Sequence, residues 1–307
     1  MKNALFTLGI AALLLGIASP IQAHVGDAVV RIFELTDEEL QWIDLHDGSV
    51  EDWQEVMGDP TLTALDFVTD GRRANNDPSD LAYRIWMGWH KESDRIYVAM
   101  ERVDDRYVGY VRDVPPESDS WYAWWSDSGL QFLVDGDHSG GAITVGMRED
   151  NREIQHFMAA SESYRNFEGV NIMQNGFTYK DDWFRVPPLA EVGGGSFGEQ
   201  PTVVVTEFYV TPFDWLVWDD PELAEVSDLK AGQIIGFAMV IIDYDEVFKS
   251  GSIEYQSVHS FPIDSMGPGW VPDLFGDAIL VNALGKVPED TAVENLTWAR
   301  IKASFTR

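Results

Sequence analysis

Residues 81–103 read LAYRIWMGWHKESDRIYVAMERV, and this stretch decides the fold class. Apolar side chains recur at every second position from Tyr83 to Trp89, which places them on one face of an extended chain. Residues 95–103 repeat this alternation, and the polar residues 91–94 between the two runs are typical of a turn. The stretch therefore predicts a β-hairpin of two half-buried strands.

Further runs of strand length follow along the chain. The additional predicted strands span residues 130–134, 142–147, 153–158, 176–184, 203–210, 233–242, 278–283 and 296–304. Long helical periodicity is absent: only residues 37–43 and 221–229 predict short helices, and Thr36 is the candidate N-cap of the first. We therefore expect an all-β protein, an antiparallel β-sandwich of jelly-roll type with one or two short helices.

The first 23 residues have the pattern of a secretory signal peptide. Lys2 supplies a positive charge, residues 5–17 are apolar but short for a membrane span, and small residues precede a cleavage point after Ala23. We expect a secreted or periplasmic protein without membrane insertion. Residues 24–307 are predicted to form a single domain, with the glycine-rich stretch 193–196 as a long loop within it.

Composition excludes several classes of partner and chemistry. The 307 residues include 21 Lys+Arg and 52 Asp+Glu, so the formal net charge is −31. Such a surface repels phosphate backbones and anionic lipid headgroups, which argues against nucleic acid as a partner. The absence of cysteine excludes disulfides, a thiol nucleophile, a cysteine zinc site and a lipoprotein anchor.

The stretch 124–140, WWSDSGLQFLVDGDHSG, resembles the most specific segment of the family 9 carbohydrate-binding modules, which belong to the DOMON-like β-sandwich superfamily. The other pieces similar to this family are Asp47-Gly48 followed by Asp52-Trp53, the hairpin ending in Asp104-Asp105, the strand segments 206–213 and 230–245, and Trp270 five residues before Phe275-Gly276. The resemblance covers about residues 42–283 and implies a β-sandwich that binds a poly- or oligosaccharide.

Sugars offer C–H faces to aromatic rings and hydroxyl groups to planar polar side chains, and this chain has 12 Trp. By resemblance, Trp125 and Trp270 are the two aromatic walls of the sugar site. The residues expected at the site are Trp124, Trp125, Gln131, Arg148, Arg152, Gln155 and Trp270. Trp53, Trp86 and Trp89 lie in alternating or turn contexts and are predicted to pack in the core.

The loop from Asp135 to Gly140 carries two carboxylates two positions apart, with glycines that permit a tight turn. Hard cations such as Ca²⁺ favour oxygen-rich loops of this kind. We expect a structural calcium site from Asp135 and Asp137, to which Asp104, Asp105, Asp243 and Asp245 add ligands; a solvated turn is the alternative.

The sequence favours binding over catalysis. Among 52 acidic residues some carboxylate pair is always available to a glycosidase mechanism. Residues 136–140 have the wrong spacing for a Gly-x-Ser-x-Gly elbow, and the six histidines show no metal-type spacing. One alternative is a b-type haem electron-transfer domain of the same superfamily, with Met100, Met158 and His156 as candidate ligands. Another is an accessory subunit of a carbohydrate-processing enzyme, whose sandwich mediates protein contact.

Overall fold

The computed structural model describes residues 28–69, 77–109, 129–141, 152–160, 172–174, 183–245, 257–261 and 274–283. The predicted signal peptide and the predicted strands 142–147 and 296–304 lie outside these ranges. Within them, no helix has the length and apolar character to cross a membrane.

Strands dominate the described residues. In the first part of the chain they are β1 (Val29–Glu34), β2 (Leu62–Thr63), β3 (Val68–Thr69), β4 (Leu81–His90), β5 (Arg95–Asp104), β6 (Gly129–Asp135), β7 (Gln155–Ala160) and β8 (Ile172–Gln174). In the second part they are β9 (Ala190–Phe197), β10 (Thr202–Val210), β11 (Phe213–Trp215), β12 (Glu225–Val226), β13 (Ile234–Asp243), β14 (Ser257–Phe261) and β15 (Gly276–Val281).

Helical structure is short. The α-helices are α1 (Asp37–Leu40) and α2 (Glu51–Met57), and the 3₁₀ turns are Ala64–Asp66, Trp183–Arg185 and Pro221–Leu223. Thr36 caps α1 as predicted: its hydroxyl oxygen accepts from the Glu39 N–H, and the Glu39 carboxylate accepts from the Thr36 N–H at 2.7 Å. The all-β class with short helices is confirmed.

One strand joins the two layers of the fold. Thirteen of the described strands form a single sheet with the order β8-β7-β6-β13-β15-β1-β4-β5-β10-β9, with β14, β3 and β2 at its sides. Strand β1 runs parallel to both neighbours, with Val29 opposite Asp277 of β15 and Phe33 opposite Gly88 of β4. The other pairings are antiparallel, so the predicted layers are two halves of one sheet connected through β1.

The two halves face each other across one apolar core. Phe132 of β6 and Phe208 of β10 belong to different halves, yet their ring centroids lie 5.9 Å apart and both rings are fully buried. Complete burial of a side chain of this size stabilises the fold by about 1.5–3 kcal/mol. The predicted hairpin closes the same core: Trp89 of β4 is buried, and its indole N–H donates to the Val281 carbonyl of β15 at 2.8 Å.

Residues 36–57, which include α1 and α2, cover the outer face of β4, β5 and β10. Side chains of the segment and of these strands form a second buried cluster, which includes Trp53, Trp86, Tyr97, Val205 and Tyr209. The Trp53 indole N–H donates to Oε1 of Glu207 at 2.8 Å. Trp53, Trp86 and Trp89 are all fully buried, which confirms their prediction as core residues.

Strand β9 replaces the predicted glycine-rich loop. Gly193 and Gly194 pair with Glu207 and Thr206 of β10 within a regular antiparallel ladder. A Cβ on Gly193 would lie 1.7 Å from the Leu45 carbonyl oxygen. The loop prediction was wrong because these glycines allow the covering segment to approach the strand, instead of making the strand flexible.

Two further predictions differ from the structure. The helix predicted at 221–229 is only the 3₁₀ turn Pro221–Leu223, after which the chain enters β12. Of the strand predicted at 176–184, the described end forms the 3₁₀ turn Trp183–Arg185, in which Phe184 packs edge-on to Trp183 with ring centroids 5.8 Å apart. In both cases tertiary packing outweighs the local pattern.

Candidate functional site

The aromatic residues expected to hold a sugar lie outside the described residues. These are Trp124, Trp125 and Trp270. Arg148 also lies outside the described residues, so the predicted roles of all four stay predictions. The structure does place Gln131, Arg152 and Gln155, together with the six aspartates expected at the metal site.

Gln131 is on the outer face of β6. Its neighbours Leu130 and Phe132 point into the core and are fully buried, whereas Gln131 is half-buried. It lies between Val240 of β13 and Met158 of β7 in the sheet register. Alternation along the strand therefore directs its amide away from the core, where it is partly accessible to a ligand.

Gln155 has a role in the fold. Its side chain is fully buried, and its amide nitrogen donates to the carbonyls of Arg152 at 2.9 Å and Phe213 at 3.0 Å. Its amide oxygen accepts from the Phe213 N–H at 2.9 Å. These bonds tie the start of β7 to β11, and they leave the Gln155 amide little capacity to contact a sugar.

Arg152 lies beside a tryptophan that the sequence analysis did not single out. Its guanidinium carbon is 5.2 Å from the ring centroid of Trp215, and 38% of Trp215 is exposed. The Leu216 N–H donates to the Arg152 carbonyl at 2.8 Å, so the backbones of the two segments are also paired. The sequence signal for Trp215 was its position two residues after segment 206–213, which is similar to the family.

The two predicted pairs of metal ligands are at opposite ends of β13. Asp135 is beside Gly236 at the start of β13, whereas Arg102, the ion-pair partner of Asp104, donates to the Ile242 carbonyl near its end at 2.7 Å. Six residues of strand separate these points by roughly 20 Å. One ion shared by Asp135, Asp137, Asp104 and Asp105 is therefore excluded.

Within the loop that follows β6, the carboxylates bind backbone N–H groups. The Gly140 N–H donates to Asp135 at 2.7 Å, and the Ser139 N–H donates to Asp137 at 3.1 Å. Asp135 is fully buried, and the histidine of this loop, His138, contacts Asp277 at 2.9 Å. These contacts describe a turn in which both carboxylates accept backbone hydrogen bonds. The stated alternative to a calcium site was a solvated turn, but Asp135 is not in contact with solvent.

Asp104 forms a buried ion pair with Arg102. The Arg102 guanidinium is fully buried, donates to Asp104 at 3.0 Å through Nε, and also donates to Asp243 at 3.2 Å. A buried guanidinium needs such partners because its desolvation is costly. Asp104 and Asp243 therefore compensate Arg102 and are poor candidates for direct metal ligands.

Asp105 belongs to a different group, which we call the acidic cluster: Asp80, Asp105 and Asp245. One carboxylate oxygen from each lies within 4.8 Å of the others. Partial burial, followed by repulsion from Asp243, Asp245, Asp105 and Asp104, raises the pKa of Asp80 to about 6. Asp80 was missed in the sequence, because its proximity to Asp245 depends on the packing of the two halves.

Comparisons with known proteins identify the fold. No protein-family model and no curated protein matches the chain. A carbohydrate-binding module family 9 structure from Caldicellulosiruptor kristjanssonii in complex with glucose is 13% identical with a TM-score of 0.50, and the match covers 87% of this chain and 100% of that chain. A family 9 module from the same organism in complex with cellotriose has the same identity, TM-score and coverage of this chain, and 97% of that chain is covered. The fold of this chain therefore resembles that of family 9 carbohydrate-binding modules.

Proposed function

We propose that this chain, which has a fold like that of the family 9 carbohydrate-binding modules, is a secreted, non-catalytic protein that binds a poly- or oligosaccharide. The observation that carries the proposal is the likeness over 87% of the chain to modules in complex with glucose and with cellotriose. Sugar binding by exposed aromatic rings requires neither a group with a shifted pKa nor a catalytic residue.

In this proposal the indole rings of Trp125 and Trp270 stack on the sugar, with Trp124 beside them. Arg148 and Gln131 provide hydrogen bonds to hydroxyl groups. The half-buried outward position of Gln131 on β6 supports this role, because the strand begins a few residues after Trp125 in the chain.

The test is the double variant Trp125→Ala/Trp270→Ala on a glycan array and in polysaccharide pull-down. The parent is expected to retain at least one neutral glycan, and the double variant to lose most of that retention while its circular dichroism spectrum stays unchanged. Equal retention by a folded double variant would place the site elsewhere. Release of reducing sugar by the parent would contradict the non-catalytic assignment.

Export is the second part of the proposal. The pattern of residues 1–23 supports a signal peptide that is cleaved after Ala23. Expression of the full chain in a bacterial host should yield a secreted or periplasmic protein whose first residue is His24 by N-terminal sequencing. An uncleaved protein retained in the cytoplasm would contradict this part.

We further propose that a structural Ca²⁺ binds the acidic cluster and not the loop after β6. The donors are all carboxylate oxygens, which are the ligands that Ca²⁺ prefers at about 2.3–2.6 Å. Their mutual separations of up to 4.8 Å are compatible with one ion bound among them. The same ion would relieve the repulsion that, after partial burial, raises the pKa of Asp80.

The described residues give the haem alternative no support. Met100 is buried in the main apolar core, with only 2% of its surface exposed. His156 and Met158 are two positions apart on β7, so both would approach an iron from the same side. The purified protein is therefore expected to lack a Soret absorption band.

A further inference from the structure

The pair formed by Trp215 and Arg152 is part of a surface with the chemistry of a sugar site. We define the Trp215 surface as Trp215, Arg152, Asp214 and Glu225. Glu225 of β12 is exposed and lies opposite Trp215 in the register of the small sheet formed by β11 and β12. An exposed indole, a guanidinium and two carboxylates are thus brought together from three separate segments.

The indole is held in place, which is what a stacking platform requires. The Arg152 guanidinium lies over the Trp215 ring at 5.2 Å, an arrangement that favours a fixed ring orientation. Beneath the pair, the buried amide of Gln155 binds both Arg152 and Phe213, and Leu216 donates to the Arg152 carbonyl. A rigid aromatic group loses little conformational entropy when a ligand binds to it.

The two carboxylates of the surface differ in their surroundings. Asp214 is half-buried and has a side-chain hydrogen bond with Ser227, whereas Glu225 is exposed. Partial burial, opposed by the Ser227 hydrogen bond and reinforced by Asp137, Asp135 and Glu225, raises the pKa of Asp214. Carboxylates can accept hydrogen bonds from sugar hydroxyl groups, and Arg152 can donate to them.

We infer that the Trp215 surface is a further saccharide contact and that it takes a neutral glycan. This inference rests on the proposed function. The class of ligand follows from charge: the two carboxylates of the surface and a net charge of −31 repel uronate or sulfated chains. A neutral pyranose avoids that repulsion and still presents a C–H face to the indole.

The experiment compares Trp215→Ala with the matched control Trp42→Ala in the full chain. Trp42 is also exposed, at 67%, but it follows α1 on the segment that covers the opposite half of the sheet. Binding is measured by depletion onto cellulose, xylan and a β-1,3-glucan, with polygalacturonate as the anionic probe. Loss of one stacked ring is expected to weaken binding to a neutral chain about fivefold or more, whereas Trp42→Ala should stay within about twofold of the parent.

Two measurements keep the test valid if Trp215→Ala does not fold. Glu225→Gln, an exposed and conservative change, should weaken the same interaction without altering the thermal unfolding temperature. Hydroxyl-radical footprinting of the parent should show protection of Trp215, but not of Trp42, when the glycan is added.

The outcomes separate this inference from the proposed function. If the parent binds a neutral glycan, but Trp215→Ala and Glu225→Gln bind it equally well and Trp215 stays unprotected, the contact at the Trp215 surface is disproved and the proposed function stands. Preferential binding to polygalacturonate would overturn the assignment to neutral glycans. If the parent binds none of these glycans, the proposed function fails and the inference fails with it.

Discussion

Glu207 is a carboxyl group on the outer face of β10, with no exposed surface. It accepts one hydrogen bond from Trp53, and Asp44, Asp47 and Asp52 lie close enough to repel its charge. Burial, opposed by the Trp53 bond and reinforced by these carboxylates, raises the pKa of Glu207 to about 8. The folded protein therefore binds this proton more tightly than the unfolded chain, in which a glutamate has its ordinary pKa.

This proton makes stability depend on pH. The contribution of Glu207 is fully present below the ordinary glutamate pKa of 4.5 and is lost as the pH rises towards about 8. We predict that Glu207→Gln, which stays neutral, flattens the fall in the free energy of unfolding over this window, where the slope is at most about 1.4 kcal/mol per pH unit. Urea denaturation at a series of pH values measures the effect.

Glu101→Gln is the matched control for Glu207→Gln. Glu101 is on the neighbouring strand β5 and forms a partly exposed ion pair with Arg84 at 2.6 Å. Such pairs contribute about 0–1 kcal/mol, so this variant should keep the parent's dependence on pH. A Glu207→Gln variant with the same dependence as the parent would show that Glu207 ionises normally in the fold.

Individual roles could be predicted where the signal was local. Period-two alternation was enough to assign Trp86 and Trp89 to the core. The partnership of Arg152 with Trp215 could not be predicted, because it depends on the Gln155 amide binding the backbone of β11. Nothing in the neighbouring sequence of Arg152 indicates which aromatic residue lies beside it.

At the scale of elements, β9 shows how glycine can serve a regular strand. The Leu45 carbonyl approaches Gly193 so closely that a methyl group has no room there. At Gly195, two positions along the same strand, an added Cβ would instead meet the Phe197 ring at 2.8 Å. Phe197 is 48% exposed, so its side chain can move aside, whereas the Leu45 backbone cannot without lifting the covering segment.

We predict that Gly193→Ala lowers the free energy of unfolding by about 2 kcal/mol or more, because it forces residues 36–57 away from the sheet. Gly195→Ala makes the same chemical change in the same strand and should cost less than about 1 kcal/mol. Chemical denaturation of both variants, with hydrogen exchange at Trp53, tests the difference. Equal losses would show that the approach of Leu45 does not matter.

Strands with a clear alternating or continuous apolar pattern were predicted within a few residues: β4, β5, β6, β7, β10, β13 and β15. Elements determined by their partners were not. The segment 221–229 has helix-start signals in Asp220 and Pro221, but pairing with β11 turns the chain into β12 after Leu223. Strand β1 was not predicted, and both strands that pair with it are distant in the sequence.

At the scale of the whole molecule, the acidic cluster connects the two halves of the sheet. Asp80 precedes β4 and Asp105 follows β5 in one half, whereas Asp245 follows β13 in the other. Carboxylates at this junction repel one another in the absence of a cation. A bound Ca²⁺ would cross-link the halves, so calcium binding is expected to stabilise the fold as a unit.

We predict that millimolar Ca²⁺ raises the thermal unfolding temperature by several degrees over a chelator-treated sample, as expected for any ion that binds only the folded state. Asp80→Asn should remove most of this shift. The control Asp228→Asn alters an exposed ion pair with Lys230 and should keep it. A calcium shift that is intact in Asp80→Asn, or absent from the parent, would disprove binding at the acidic cluster.

The two-layer all-β architecture was predictable, since alternating strands must bury one face against another layer. The connection of the layers into one sheet was not predictable, because a period-two pattern does not indicate which strands hydrogen-bond to each other. The same reason explains why the expected metal ligands Asp104, Asp105, Asp135 and Asp137 were grouped incorrectly.

The parallel pairing of β1 with β15 also determines when the fold can be completed. Residues 29–34 leave the ribosome long before residues 276–281, which form one of their two partner strands. This pairing cannot form until residues 276–281 have been synthesised, and pairing between such distant segments is slow. The two halves of the sheet therefore become one sheet only after β15 is available.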